Sequence, residues 1–159
     1  MKSSARKKKV LVLCYGNPLR SDDGAGLAVA EQLENILAPD TATVLYRHQL
    51  VPELAEPLSE ADVALFVDAS ENGDAHGQLN VRKISAQQEI PEPSTHQFDP
   101  AILLSYAKSL YGRAPEVCEL YTIRGKTFEY GTEISPEVRQ RIPELVRILL
   151  NRIGGQAHA

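Results

Sequence analysis

The sequence predicts an α/β fold: a three-layer α/β/α sandwich around a twisted, mainly parallel sheet of about five strands. Three observations carry that reading. First, Val10 to Cys14 (VLVLC) and Val63 to Val67 (VALFV) are continuous apolar runs rich in β-branched residues. A strand that alternates apolar and polar residues faces water on one side, whereas an unbroken apolar run suits a central parallel strand covered on both faces. Second, segments with helical spacing separate these runs, and alternating strands and helices imply a sheet between helical layers. Third, the 159 residues contain neither an internal repeat nor a linker. That length supports one buried core. The expectation is a single domain over residues 1–159, with 1–8 and 154–159 as flexible tails.

The elements follow in order. Gly16-Asn17-Pro18 ends the first strand. Ser21 is placed to cap the next helix, with Asp22 and Asp23 in its first turn. Leu27, Ala30, Leu33 and Leu37 then recur at helical spacing, and Pro39-Asp40 stops the helix. Thr43 to Tyr46 reads as a second strand. Pro52 to Ala61 reads as a short helix, bent or interrupted at Pro57. The third strand ends on Asp68, and Ser70 to Gly77 is turn-like. Gln78 to Ile84 alternates enough for an edge strand. Ser85 to Asp99 reads as a long loop, of a length that in compact domains is usually functional. Asp99-Pro100 is a cap followed by proline in the first turn, and Ile102 to Tyr111 is a helix stopped by Gly112. Glu119 to Ile123 is a further strand, with Thr127 to Tyr130 a candidate short one. Ser135-Pro136 repeats the cap-then-proline device before a final helix, Glu137 to about Ile153, kinked at Pro143.

Composition excludes several classes of function. Apolar residues make up 43% and charged residues 24%, as in a globular domain. The net charge of −4 argues against a nucleic-acid partner, and the one dense basic run, Arg6 to Lys9, reads as a solvated end. No apolar stretch approaches the roughly 20 residues of a membrane span. Val10 to Tyr15 after a basic start imitates a signal peptide, but Asn17, Arg20, Asp22 and Asp23 follow at once. The two cysteines, Cys14 and Cys118, make no disulfide framework, and a cytoplasmic location is the expectation.

In open parallel sheets the working groups gather beyond the carboxyl ends of the strands. Three residues are placed to meet there: Asp23 after the first strand, Asp68 at the end of the third, and His96 in the long loop. Two carboxylates and one imidazole form a plausible transition-metal site with positions open to water or substrate. Taken singly each has a plainer role. Asp22 and Asp23 suit the positive end of a helix, Asp68 can cap a turn, and a loop histidine is commonly solvated. Gly16, Gly24 and Gly26 lack the spacing of a dinucleotide fingerprint, and two aspartates would repel a phosphate. Gly24 and Gly26 instead suit close backbone approach at the helix start. Cys14 and Cys118 read as buried small hydrophobes. His48 and His76 are weaker ligand candidates, and His158 lies near the end of the chain. No Gly-x-Ser-x-Gly elbow is present, which disfavours a serine hydrolase.

The run VLVLCYGNPLRSDDGAGLAVAEQL resembles the opening motif of the nickel–iron hydrogenase maturation proteases. The resemblance extends through HQLVPELAEPLSEADVALFVDAS, STHQFDP, LYGRAPEVCELYTIRGKTFEYG and the ISPEV helix start. It implies an α/β/α fold and an endopeptidase that removes a C-terminal extension from the hydrogenase large-subunit precursor after nickel insertion. By resemblance the metal-contacting positions fall on Asp23, Asp68 and His96. Asp23 and Asp68 are the candidate catalytic carboxylates, and nickel is supplied by the precursor, with no organic cofactor. Two departures stand out: many members carry glycine where this chain has Cys14, and some carry glutamate where it has Asp23. A maturation chaperone that binds metal or precursor without cleaving it is the alternative, and a nucleotide-binding α/β domain a third reading.

Overall fold

The computed structural model describes residues 7–86 and 99–157. Five strands form one sheet in the order β2-β1-β3-β5-β4. They are β1 (Val10–Tyr15), β2 (Thr43–Arg47), β3 (Val63–Ser70), β4 (Leu79–Lys83) and β5 (Val117–Arg124). The first four in that spatial order run parallel, and β4 pairs antiparallel with β5 at the edge. The helices are α1 (Ala25–Ile36), α2 (Ala55–Glu60), α3 (Pro100–Tyr111), α4 (Pro136–Arg139) and α5 (Ile142–Ala157).

The central strands β1 and β3 alternate their side chains between two cores. Val10, Val12 and Cys14 of β1 and Val63, Leu65 and Val67 of β3 pack on one face with Val29 and Leu33 of α1 and Leu145 and Leu149 of α5. Leu11, Leu13, Ala64 and Phe66 pack on the other face with Leu58 of α2 and Leu103 of α3. Burial on both sides is why these strands carry no polar alternation. The exposed edge strand β4 instead carries Arg82 and Lys83, charges that discourage further strand pairing.

The sheet, its parallel sense and the α3 boundaries follow the sequence reading. Asp99 accepts the Ile102 N–H at 2.8 Å as an N-cap, and Gly112 takes the left-handed conformation (φ 76°) that ends α3. Other expectations are corrected. Pro57 does not interrupt its helix: a 3-10 turn, Pro52–Leu54, precedes α2, and Pro57 is the third residue of α2, where an N–H has no intrahelical acceptor to lose. The final helix is not one kinked rod. It is divided into α4 and α5, with Pro143 in the first turn of α5. Nor does it stop near Ile153. It continues through Gly154 and Gly155, which correct the expected tail from residue 154. Leu149 and Ile153 seat α5 in the core, and each glycine costs only about 1 kcal/mol against alanine. Thr127 to Tyr130 is irregular and not a strand. Among the described residues, no helix is long and apolar enough to cross a membrane.

Candidate functional site

The site lies at the carboxyl edge of the sheet, where β1 ends at Tyr15 beside β3; β3 itself does not stop at Asp68 as expected but runs on to Ser70, paired there with β5. Cys14 is in register with Val67, so the next step along each strand sets Tyr15 beside Asp68 on the α2–α3 face. After Tyr15 the chain turns sharply. Gly16 has φ 142°, and a Cβ there would fall on the carbonyl oxygen of Asp23. Gly26 has a similar duty: a Cβ would lie 2.5 Å from the Tyr15 carbonyl oxygen, so the start of α1 packs backbone to backbone on the end of β1. The close approach expected of Gly26 is therefore present.

The expected role of Ser21 is not. Ser21 caps no helix N–H; it sits in the left-handed region (φ 54°) at the start of a 3-10 turn, Ser21–Gly24. Its hydroxyl donates to the Glu129 carbonyl at 2.7 Å, and its N–H donates to the Gly131 carbonyl at 2.8 Å. Such bonds hold a backbone conformation that costs about 1–3 kcal/mol by itself. Asp22 and Asp23 belong to this turn, not to the first turn of α1.

The two acids then diverge. Asp22 is fully buried and accepts four hydrogen bonds, from the N–H groups of Lys126, Thr127 and Ser135 and from the Ser135 hydroxyl, at 2.7–3.1 Å. Burial alone would raise its pKa, but these donors outweigh burial and hold the carboxyl below its ordinary value. Ser135, expected to cap α4, makes no side-chain cap and serves Asp22 instead. Asp22 is thus structural. It fastens the opening turn to the segment after β5, aided by Arg20 Nε donating to the Phe128 carbonyl.

Asp23 points the other way. It is half-buried, and its Oδ2 accepts the Asn17 N–H at 2.7 Å. Its charge reaches Asp68. Burial, then repulsion from Asp23, pushes the Asp68 carboxyl up to about 7, against the lowering effect of hydrogen bonds from the Ala69 N–H and the Tyr15 hydroxyl. A buried carboxyl whose ionisation a neighbouring carboxylate makes costlier gains from a proton or a cation beside it. Tyr46 of β2 stands close by: its hydroxyl donates to the Gly16 carbonyl, and burial together with the Asp23 charge raises its own pKa.

Asp23 and Asp68 are therefore brought together from positions 45 residues apart (68 − 23). His96 lies outside the described residues, as does His158. Among the described residues there is no cluster of three or more metal-ligating side chains. His48 is exposed just beyond β2, its ring 6.0 Å from that of Tyr46. His76 lies in the exposed turn before β4. Cys14 and Cys118 are buried free thiols, each pushed up to about 12 by burial first, so neither is a ready nucleophile. Tyr15 and Tyr46 escaped the sequence reading. Tyr15 lies five residues after Val10, as Asp68 lies five after Val63, and it is the register of those two valines in the folded sheet that sets the two residues side by side.

An open parallel sheet with paired carboxylates at its carboxyl edge defines the general class, an α/β protein whose acidic edge is suited to bind a cation or manage a proton. Comparison with known proteins makes the class specific. The HycI hydrogenase maturation protease family model matches residues 27–152. The hydrogenase expression/formation protein HupD of Bradyrhizobium diazoefficiens is 31% identical over 150 residues, covering 89% of this chain and 76% of its own length. The fold matches the hydrogenase maturation protease HycI of Thermococcus kodakarensis with a TM-score of 0.74 at 22% identity, over 94% of this chain and 95% of that one. It matches the hydrogenase maturating endopeptidase HybD of E. coli with a TM-score of 0.75 at 24% identity, over 92% and 93%. The chain belongs to the hydrogenase maturation protease family, and is a peptidase by that membership.

Proposed function

We propose that this protein is the endopeptidase that removes the C-terminal extension of a nickel–iron hydrogenase large-subunit precursor, and that it recognises nickel already bound in that precursor. The observation that carries the site assignment is the gathering of Asp23 and Asp68 at the carboxyl edge, where burial and then the Asp23 charge raise Asp68 to about 7. A nickel ion presented by the substrate would relieve their repulsion, so a loaded precursor docks more favourably than an empty one. His96 is assigned as the third contact by family resemblance. A reducing, cytoplasmic setting fits the free thiols of Cys14 and Cys118.

Hydrolysis requires a base to take a proton from water and an acid to return one to the leaving amine. Asp68 is the better candidate for the proton traffic, because a carboxyl near 7 exchanges protons at neutral pH. Asp23, held by the Asn17 N–H, is the better candidate for a fixed anionic contact to the metal. The subtype is thus a carboxylate-based, metal-linked peptidase.

The test uses nickel-loaded and nickel-free precursor with product mass as the readout. Cleavage of the loaded form alone is expected. Equal cleavage of both forms rejects recognition through nickel, and a tight complex with no loss of mass marks a non-cleaving chaperone.

A further inference from the structure

An open groove of about 790 Å³ is walled by Arg20, Glu71, Phe128, Glu129 and Tyr130. Arg20 lies three residues before Asp23, and Glu71 three residues after Asp68. Three residues span at most about 11 Å, so a groove that touches both walls opens close to both acids. Its aromatic wall is fastened to the turn that carries Asp23. Arg20 Nε donates to the Phe128 carbonyl at 3.1 Å, and the Ser21 hydroxyl donates to the Glu129 carbonyl at 2.7 Å. The Gly131 N–H donates to the Leu19 carbonyl at 2.9 Å. The Phe128 ring lies over Gly125, where a Cβ would come within 2.6 Å of it.

This rigid wall holds apolar groups out in water. Tyr130 is 92% exposed although its chain neighbours on both sides are hydrogen-bonded, and Leu19 beside it is 56% exposed. Single exposed apolar residues are ordinary, but a group of them on one rim marks a contact surface. The groove is also acidic. Glu71 and Glu129 are exposed, and no ion pair among the described residues joins either to a base. Aromatic rings beside unpaired carboxylates fit a peptide that carries an apolar side chain next to a basic one. An extended peptide advances about 3.3 Å per residue, so the residues just beyond a bond held at Asp23 and Asp68 come within reach of this groove.

We propose that the groove docks the stretch of the precursor that flanks the cleaved bond, with an apolar side chain against Phe128 and Tyr130 and a basic one against Glu71 and Glu129. This rests on the reading that the chain processes that precursor. The groove acts by binding and takes no part in proton transfer, so its loss falls on affinity and spares turnover.

The test measures Kd, KM, kcat and Tm on nickel-loaded precursor for the wild-type chain, Tyr130→Ser, the double variant Glu71→Lys with Glu129→Lys, and Leu110→Ser. Leu110 is 64% exposed on α3, outside the groove, and serves as the control. Tyr130→Ser is expected to raise Kd and KM by about 10–50-fold, with kcat within about twofold and Tm within a few degrees. The double charge reversal is expected to raise both by about 5–20-fold at low salt, and to lose most of that effect at about 1 M salt. Leu110→Ser is expected to match wild type. Wild-type Kd and KM in Tyr130→Ser and in the double variant, while the wild-type chain cleaves the precursor, overturn the groove and leave the reading of the function standing. A wild-type chain that neither binds nor cleaves the precursor overturns that reading, and the groove with it. A fall in kcat at constant KM, or an equal loss in Leu110→Ser, overturns the groove as a docking site.

Discussion

Asp22 and Asp23 are neighbours in the chain, carry the same side chain and lie in the same 3-10 turn, yet the fold uses them in opposite ways. Asp22 points inward, is sealed from solvent and is satisfied by four donors from the segment after β5. Asp23 points to the sheet edge, keeps one backbone donor and faces another acid. The first has a lowered pKa and binds the fold together. The second adds to the electrostatic cost of Asp68. A carboxylate surrounded by N–H groups stabilises, and a carboxylate opposite its own kind does not, so the two residues separate stability from chemistry within one turn.

The contrast is sharpest in activity. Asp68→Asn and Asp23→Ala are expected to reduce precursor cleavage by about 10²–10⁴-fold, the usual worth of a positioned proton-transfer group or charge contact. Neither should lower Tm by more than a few degrees, checked by thermal unfolding. A destabilised Asp23→Ala that still cleaves would erase the distinction.

Asp22→Ala should do the reverse. It strands part-buried donors at Lys126, Thr127 and Ser135, and should cost about 1–3 kcal/mol in chemical denaturation. Its pH signature has a definite sign. The folded pKa of Asp22 lies below its unfolded value, so its stabilisation is present above the unfolded pKa and is lost as pH falls through the folded one. Asp22→Asn should therefore flatten the acid side of the stability curve.

Asp68 has the opposite sign. Its folded pKa of about 7 exceeds the unfolded value, so stability is greatest below the unfolded pKa and declines as pH rises toward about 7. At pH 8 the Asp68→Asn chain should be more stable than wild type by about 1–3 kcal/mol, measured without metal. An equal or lower stability would show that burial and the Asp23 charge do not raise the cost of ionising Asp68. The smallest effect is expected at Cys14, which adjoins the site in sequence but faces the α1–α5 core. Cys14→Ala should leave kcat unchanged and cost about 1 kcal/mol.

Much of this molecule is legible without coordinates. VLVLC and VALFV announce buried parallel strands because no polar residue could be hidden at those positions at small cost. Asp99-Pro100 and Gly112 bound α3 because their preferred backbone angles suit a helix start and a left-handed stop. Asp68 could be singled out because it is the first polar residue after the buried run VALFV, near the edge where parallel sheets place their working groups, although β3 runs on to Ser70. Ser21 and Ser135 misled for one reason. Each has the type and spacing of a cap, but each is bonded to a segment more than 100 residues away, where Ser21 reaches Glu129 and Ser135 reaches Asp22.

The linear order of residues determined the strands, the chain's punctuation and the carboxyl edge as the place of the acids, since these depend on hydrophobicity and backbone preference within a few residues. Which of two adjacent aspartates is buried, and which phenol meets Asp68, was decided only by the folded sheet. Those outcomes depend on register between β1 and β3 and on a loop from the far end of the chain, and no local pattern encodes the distance between segments that meet only after folding.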